Sequence, residues 1–282
     1  MSALPVLFVG HGSPMNTLEI NGYTQAWRNV GRALPRPRAI LAISAHWFIG
    51  ATAVTAMERP RTIHDFYGFP EELFAFEYPA PGLPELAEEI AELAKPTWVG
   101  LDRDQWGLDH GTWSVLAHLF PQADVPVLQL SLNALKPMEY HLELGARLAP
   151  LRERGVLIVA SGNLVHNLRR VVWQSEGGEE WAHRFDDAAV SVMAEDPGEV
   201  LVLQDHPDYA LAVPTPDHFL PLLYVAGIAA EVGTAAQAWL RGCTLGSISM
   251  TCFGIGMESV GCEQGTDGAK LPAGVPADQT NL

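Results

Sequence analysis

The sequence predicts an α/β fold: a single domain built on a central, mostly parallel mixed sheet flanked by helices, with a metal site at the C-terminal ends of the strands. Three observations lead to this reading. Short runs rich in Val, Ile and Leu alternate with segments of helical periodicity. Three of those runs, residues 6–9, 39–44 and 156–160, lead into His11, His46 and His166. Parallel strands deliver side chains to one sheet edge, so imidazoles far apart in sequence can meet there, and convergent histidines suggest a metal. Finally, 282 residues with 48% hydrophobic content suffice to bury one full core.

The elements follow in order. Strands are expected at 5–9, 39–44, 53–56, 125–132 and 155–160. Between 84 and 95, PELAEEIAELAK sets Leu86, Ile90 and Leu93 on one helical face and most of its glutamates toward water, with Pro84 suited to the first turn. A second helix starts near Pro137 and carries Tyr140, Leu144, Leu148 and Leu151 on one side. A third lies around 179–193. Between 61 and 82 six aromatic residues mix with Gly and Pro without a period, as expected of a lid, a pocket wall or a cover over a core edge. Residues 1–257 form one domain in this reading. Residues 258–282, rich in Gly, Pro, Asp and Gln, are expected to be a flexible tail.

Charge and cysteine content exclude several functions. Against 33 Asp and Glu stand 17 Lys and Arg, a formal charge of −16 that repels phosphate backbones and anionic lipid surfaces, so no nucleic acid and no membrane is expected as partner. The apolar stretch 219–230 is well short of the roughly 20 residues that span a bilayer. Cys243, Cys252 and Cys262 are odd in number and lack Cys-x-x-Cys spacing, which argues against a disulfide framework or thiolate zinc site and fits a cytoplasmic location.

The candidate chemistry is imidazole chemistry. His11 stands in Gly10-His11-Gly12-Ser13-Pro14, where small neighbours allow a sharp turn at a strand end. His46 closes an apolar strand beside Trp47. His166 sits in a polar turn after a buried strand, and His218 follows Pro214, Pro216 and Asp217, whose stiff backbone lowers the entropy of holding a ligand. His110 follows Asp109, which suits an oriented acid or base as well as a local turn bond. His118, His141 and His183 fall in helical stretches and read as core or surface residues, while His64 and His206 lie in loops that can line a pocket.

The segments GHGSPM, SAHW, HDFYGFP, YPAPG, LDHGTW, SGNLVHNL and HPDYALAVPTPDHFLPLLY, in that order, resemble the extradiol dioxygenases that include the 4,5-DOPA ring-opening enzymes. The resemblance implies a metal-dependent enzyme that cleaves the ring of a DOPA-like catechol with O2. It implies His11, His46 and His218 as metal ligands, and His166 as a further ligand or the catalytic base. His110 is implied as the group that contacts substrate or dioxygen and moves a proton. His64, Phe66, Tyr67, Asp109 and His206 are expected against the substrate. Where protocatechuate-type relatives present a glutamate, this chain offers His218; three neutral imidazoles leave about +2 on a divalent ion, which favours an anionic bidentate catecholate. Fe(II) is the expected cofactor, and Zn(II) is comfortable in the same site. A zinc-dependent hydrolase and a non-catalytic peptide-binding protein on the same fold are the alternative readings.

Overall fold

The computed structural model describes residues 3–172, 175, 177–257, 261–270 and 276–281. In chain order the elements are β1 (Val6–Gly10), α1 (Gly22–Ala33), β2 (Ala39–Ile49), β3 (Ala53–Thr55), α2 (Glu71–Phe74), α3 (Pro84–Leu93), β4 (Gly100–Asp102), α4 (His110–Leu119), β5 (Val127–Asn133), α5 (Met138–Leu148), β6 (Val156–Gly162), α6 (Glu180–Glu195), α7 (Tyr209–Ala212), α8 (Leu220–Glu231), β7 (Gln237–Arg241), β8 (Cys243–Thr244), β9 (Ile248–Ser249), β10 (Cys252–Ile255) and β11 (Glu263–Gln264). Nine strands form one sheet in the order β11-β7-β10-β1-β6-β2-β5-β3-β4. Its centre, β1, β6, β2 and β5, is parallel, whereas β10, β7 and β3 run against their neighbours in part and make the sheet mixed.

Both faces of this sheet are buried, as its continuous apolar strands require. Val6, Phe8, Leu41 and Ile43 face a core built with α3, α5, α6 and α8. Leu7, Val9, Ile40 and Ala42 face a second core under α1 and α4. Alternate residues of one strand thus serve opposite layers, the period-two rule for a doubly covered sheet. Helix α8 is apolar all round and buried along nearly its whole length, which explains the unbroken apolar run from 219.

The described part of the expected tail makes contacts with the domain. β11 pairs with β7, the Gly265 amide donates to the Arg241 carbonyl, and Ala269, Ala277 and Thr280 are buried. Residues 258–260, 271–275 and 282 of the expected tail lie outside the described residues. Among the described residues no helix is long and apolar enough to cross a membrane.

Candidate metal and catalytic site

Three adjacent strands, β1, β6 and β2, end together, and the site is built on their C-terminal ends. His11 is the first residue after β1, its amide bonded to the Gly162 carbonyl at the end of β6. His46 lies inside β2 where pairing with β5 jumps from Ile43↔Leu130 to Phe48↔Leu132, an irregularity that takes this stretch out of register and aims the ring at the site. His218 precedes α8, and its carbonyl accepts from the Asn163 amide just past β6. Gly162 permits that approach: a Cβ there would stand 2.3 Å from the His218 carbonyl oxygen. His110 opens α4, capped by Asp109. Gly111, next in the helix, lets β2 come close, since its Cβ would lie 2.4 Å from Ser44 Oγ and 2.9 Å from His46 Cδ2.

The rings of His11, His46, His110 and His218 form one buried group. His11 lies 5.2, 5.8 and 5.4 Å by centroid from His46, His110 and His218, and His46 lies 3.8 Å from His110 and 5.0 Å from His218. His166 stacks flat on His218 at 3.5 Å with an interplanar angle of 4°. Nitrogens of His11, His46 and His110 all fall within 4.8 Å of one another, the spacing of a metal triad.

Three of the four rings are hydrogen-bonded through Nδ1, and the fourth, His46, faces a carboxylate with it. Ser161 donates to the Gly111 carbonyl, so its oxygen is left to accept from His11 Nδ1, 3.0 Å away. Asp65 Oδ1 accepts from both the Nδ1 and the backbone amide of His110, at 3.0 and 3.1 Å. The other oxygen, Asp65 Oδ2, lies 3.3 Å from His46 Nδ1, within electrostatic reach though outside hydrogen-bond alignment. Asp217 Oδ2 holds His218 Nδ1. A carboxylate or hydroxyl on Nδ1 favours the tautomer with the proton there and leaves Nε2 as a bare lone pair. The consequence is a clash of donors: His11 Nε2 and His46 Nε2 face each other at 3.2 Å, and the buried Nε2 atoms of His110 and His218 have no hydrogen-bond partner among the described residues. Converging lone pairs without protons repel one another, and a divalent cation among them removes that repulsion. The donor set fits a borderline metal such as Fe(II) or Zn(II).

Electrostatics agree. Burial, and then the charge of the neighbouring histidines, pushes the imidazoles of His11 and His46 well below their ordinary value, so they stay neutral and ligand-competent. Burial alone would raise the Asp65 carboxyl, but the adjacent His110, with two hydrogen bonds to it, more than offsets this and holds it below the usual value. Asp217 follows the same pattern: burial raises it, and His218, Thr215 and His166 hold it below the usual carboxylate range. Asp109, by contrast, is raised to about 6 by burial and by the nearby Asp65 charge.

The expected substrate residues separate. Phe66 meets His110 edge to face at 5.6 Å and walls the site. Tyr67 is exposed on the rim. His64 stands behind this wall, packed on Phe66, Phe74 and Trp113 with Nε2 on the Phe76 carbonyl, so it braces the loop. Asp109 has no exposed surface and turns inward, accepting from the Thr112 amide and Gln129 Nε2, which makes it a helix cap and not a substrate contact. His206 packs on Phe185 of α6 and accepts from the Asp208 amide, contacts that lie with the α6 layer. Sequence reasoning passed over Asp65, Ser161 and Gln129, and took Asp217 only as part of the approach to His218, not as the partner of its ring. The only signal for Asp65 was its place beside His64 in the aromatic loop.

Comparison with known proteins places this geometry. Residues 5–247 match the family described as the catalytic LigB subunit of aromatic ring-opening dioxygenase. The chain is 47% identical over 258 residues to a 4,5-DOPA dioxygenase extradiol of Escherichia coli K12, covering 90% of this chain and 95% of that one. A protein of the same name from Beta vulgaris is 37% identical over 233 residues, covering 79% and 86%. The crystal structure of an uncharacterized protein from Escherichia coli K12 superposes with a TM-score of 0.77 at 44% identity, covering 90% of this chain and all of that one.

Proposed function

Because the chain belongs to the family of the catalytic LigB subunit of aromatic ring-opening dioxygenases, we propose that it is a metal-dependent extradiol dioxygenase that opens the ring of a DOPA-like catechol with O2. The observation that supports the reading is the buried cluster of His11, His46, His110 and His218, with Ser161, Asp65 and Asp217 at their Nδ1 atoms and the Nε2 atoms of His11 and His46 3.2 Å apart. In this reading His11, His46 and His218 hold the metal through Nε2, and His110, although one of its nitrogens lies within 4.8 Å of nitrogens of His11 and His46, is left to the substrate side. Ferrous iron bound there supplies a Lewis-acidic seat for the two catechol oxygens and a path for electrons from ring to dioxygen.

The chain's own residues do the rest. His166, stacked on His218, takes the catechol proton at a ring nitrogen, and the Asp217 carboxylate stabilises the imidazolium that results. His110 faces the site from the first turn of α4 with Nδ1 on Asp65. Its Nε2 donates to oxygen only once the ring has taken up a second proton, and the Asp65 carboxylate balances the imidazolium that then gives that proton as oxygen gains charge. Phe66 offers an aromatic edge to the catechol ring. The buried walls keep bulk water from the reacting oxygens.

The experiment is anaerobic loading with Fe(II), followed by oxygen-electrode and absorbance assays over a catechol panel. Stoichiometric O2 uptake with a yellow ring-opened product supports the reading. Hydrolysis of an ester or amide panel by the zinc-loaded protein, with no O2 uptake by the iron-loaded one, overturns it.

A further inference from the structure

The family match ends at residue 247, yet the chain beyond it returns to the site. The Ser13 hydroxyl, two residues past His11, donates to the Lys270 carbonyl at 3.4 Å. The 3-10 turn Ala277–Gln279 lies against the turn Leu168–Arg170, which begins two residues past His166. The Tyr67 amide donates to the Thr280 carbonyl at 3.0 Å, and Asn281 Nδ2 donates to the carbonyl of Asp65. Thr280 has no exposed surface and bonds back to Ala277 through its hydroxyl. Lys270 therefore touches the loop after His11, and residues 277–281 touch the loop after His166 and clamp the loop of Asp65, Phe66 and Tyr67 on either side of Phe66.

We propose that residues 277–281 are positioning residues of the substrate pocket: they hold Phe66 against His110 and Asp65 in its place between His46 and His110. The proposal rests on the catechol reading for the identity of the ligand, but not for the contact itself. Phe66 is the aromatic wall and Asp65 the brace, and both sit on a loop without a strand or helix of its own between Ile63 and Pro70. Such a loop relies on outside contacts for its order, and the tail provides two of them within three residues.

The test compares the full chain with a truncation ending at Gln279 and with Asn281→Ala, in case truncation disturbs folding. Two readouts are taken on the anaerobic zinc-loaded protein: amide hydrogen exchange at residues 65–67, and affinity for 4-nitrocatechol from its absorbance shift. Truncation is expected to speed exchange at Tyr67 and weaken nitrocatechol binding roughly tenfold, the effect of two lost hydrogen bonds, with bound zinc unchanged. Asn281→Ala is expected to weaken binding about threefold. In the iron-loaded enzyme the change falls on KM more than on kcat. Unchanged exchange at Tyr67, or faster exchange with unaltered nitrocatechol affinity in both variants, overturns the proposal. Failure of the full chain itself to bind nitrocatechol overturns the catechol reading, and the exchange of residues 65–67 still decides whether the tail holds the loop.

Discussion

Asp65→Asn is the most informative single change in the site. The two carboxylate oxygens serve two rings: Oδ1 accepts from His110 Nδ1 at 3.0 Å and Oδ2 faces His46 Nδ1 at 3.3 Å. An amide keeps one acceptor and turns an NH2 donor toward the other ring. That ring then moves its proton to Nε2, where it points at the metal position, or loses its partner. If His46 is the ring that changes, metal affinity falls about 10- to 100-fold, the usual cost of removing a carboxylate behind a ligating imidazole. If His110 is the ring that changes, metal stays and turnover at saturating metal falls about 10²-fold or more, as for a displaced general acid. Loss of the His110 partner removes a charge-assisted bond worth about 1.5–3 kcal/mol, whereas at His46 the loss is the electrostatic contact with Oδ2. Competition with a chromophoric chelator gives the metal affinity, and an oxygen electrode under Fe(II) saturation gives kcat. A folded Asp65→Asn protein with parental metal affinity and parental kcat refutes the role of Asp65.

Other outcomes follow from the same geometry. His218→Ala is expected to lose bound metal, whereas His110→Ala keeps it and loses about 10²- to 10⁴-fold in turnover; metal analysis after dialysis checks this, and the reverse pattern puts His110 in the ligand set. Gly111→Ala drives a Cβ into Ser44 and His46, so the melting curve should report a loss of about 1–3 kcal/mol together with weaker metal binding. Burial lowers His141 to about 4. The unfolded chain takes up that proton from about pH 6.5 downward while the folded chain does not, so stability of the metal-free protein falls as pH drops and the loss nears 3 kcal/mol at about pH 4. Urea unfolding at several pH values measures the slope, and His141→Gln should remove this part of it.

The sheet centre was legible because β1, β2 and β6 open as continuous apolar runs and β5 sets Val and Leu among Gln and Ser in strand-like alternation, and α3 and α5 because their apolar residues keep helical spacing. Helix α1 was not recognised: Tyr23, Trp27 and Val30 share its buried face, but its capping box uses Asn21 and Thr24 in place of the commoner Ser and Glu pair. Helix α4 was masked by Gly111 in its first turn, a residue demanded by the approach of β2 and unfavourable to a helix in isolation. Short antiparallel strands β7 and β10 carry little periodicity. Among the site residues, the histidines stood out by chemistry and by their place after strands. Asp65 and Ser161 did not, because their value lies in contacts across 45 and 150 positions of chain, which no local pattern reports. The contacts of the described part of the tail left no sequence signal for a related reason: Gly and Pro content describes side chains that cannot form a core, whereas these contacts are made largely by backbone hydrogen bonds.

X-ray absorption at the metal edge of the anaerobic Fe(II)- or Zn(II)-loaded protein tests the central claim, that buried imidazoles turned by their Nδ1 partners hold the ion. Coordination through Nε2 predicts about three nitrogen neighbours near 2.0–2.1 Å for zinc with the outer-shell scattering of imidazole rings, reduced by one ring in His218→Ala. A spectrum of oxygen neighbours alone, or one that His218→Ala leaves unaltered, contradicts it.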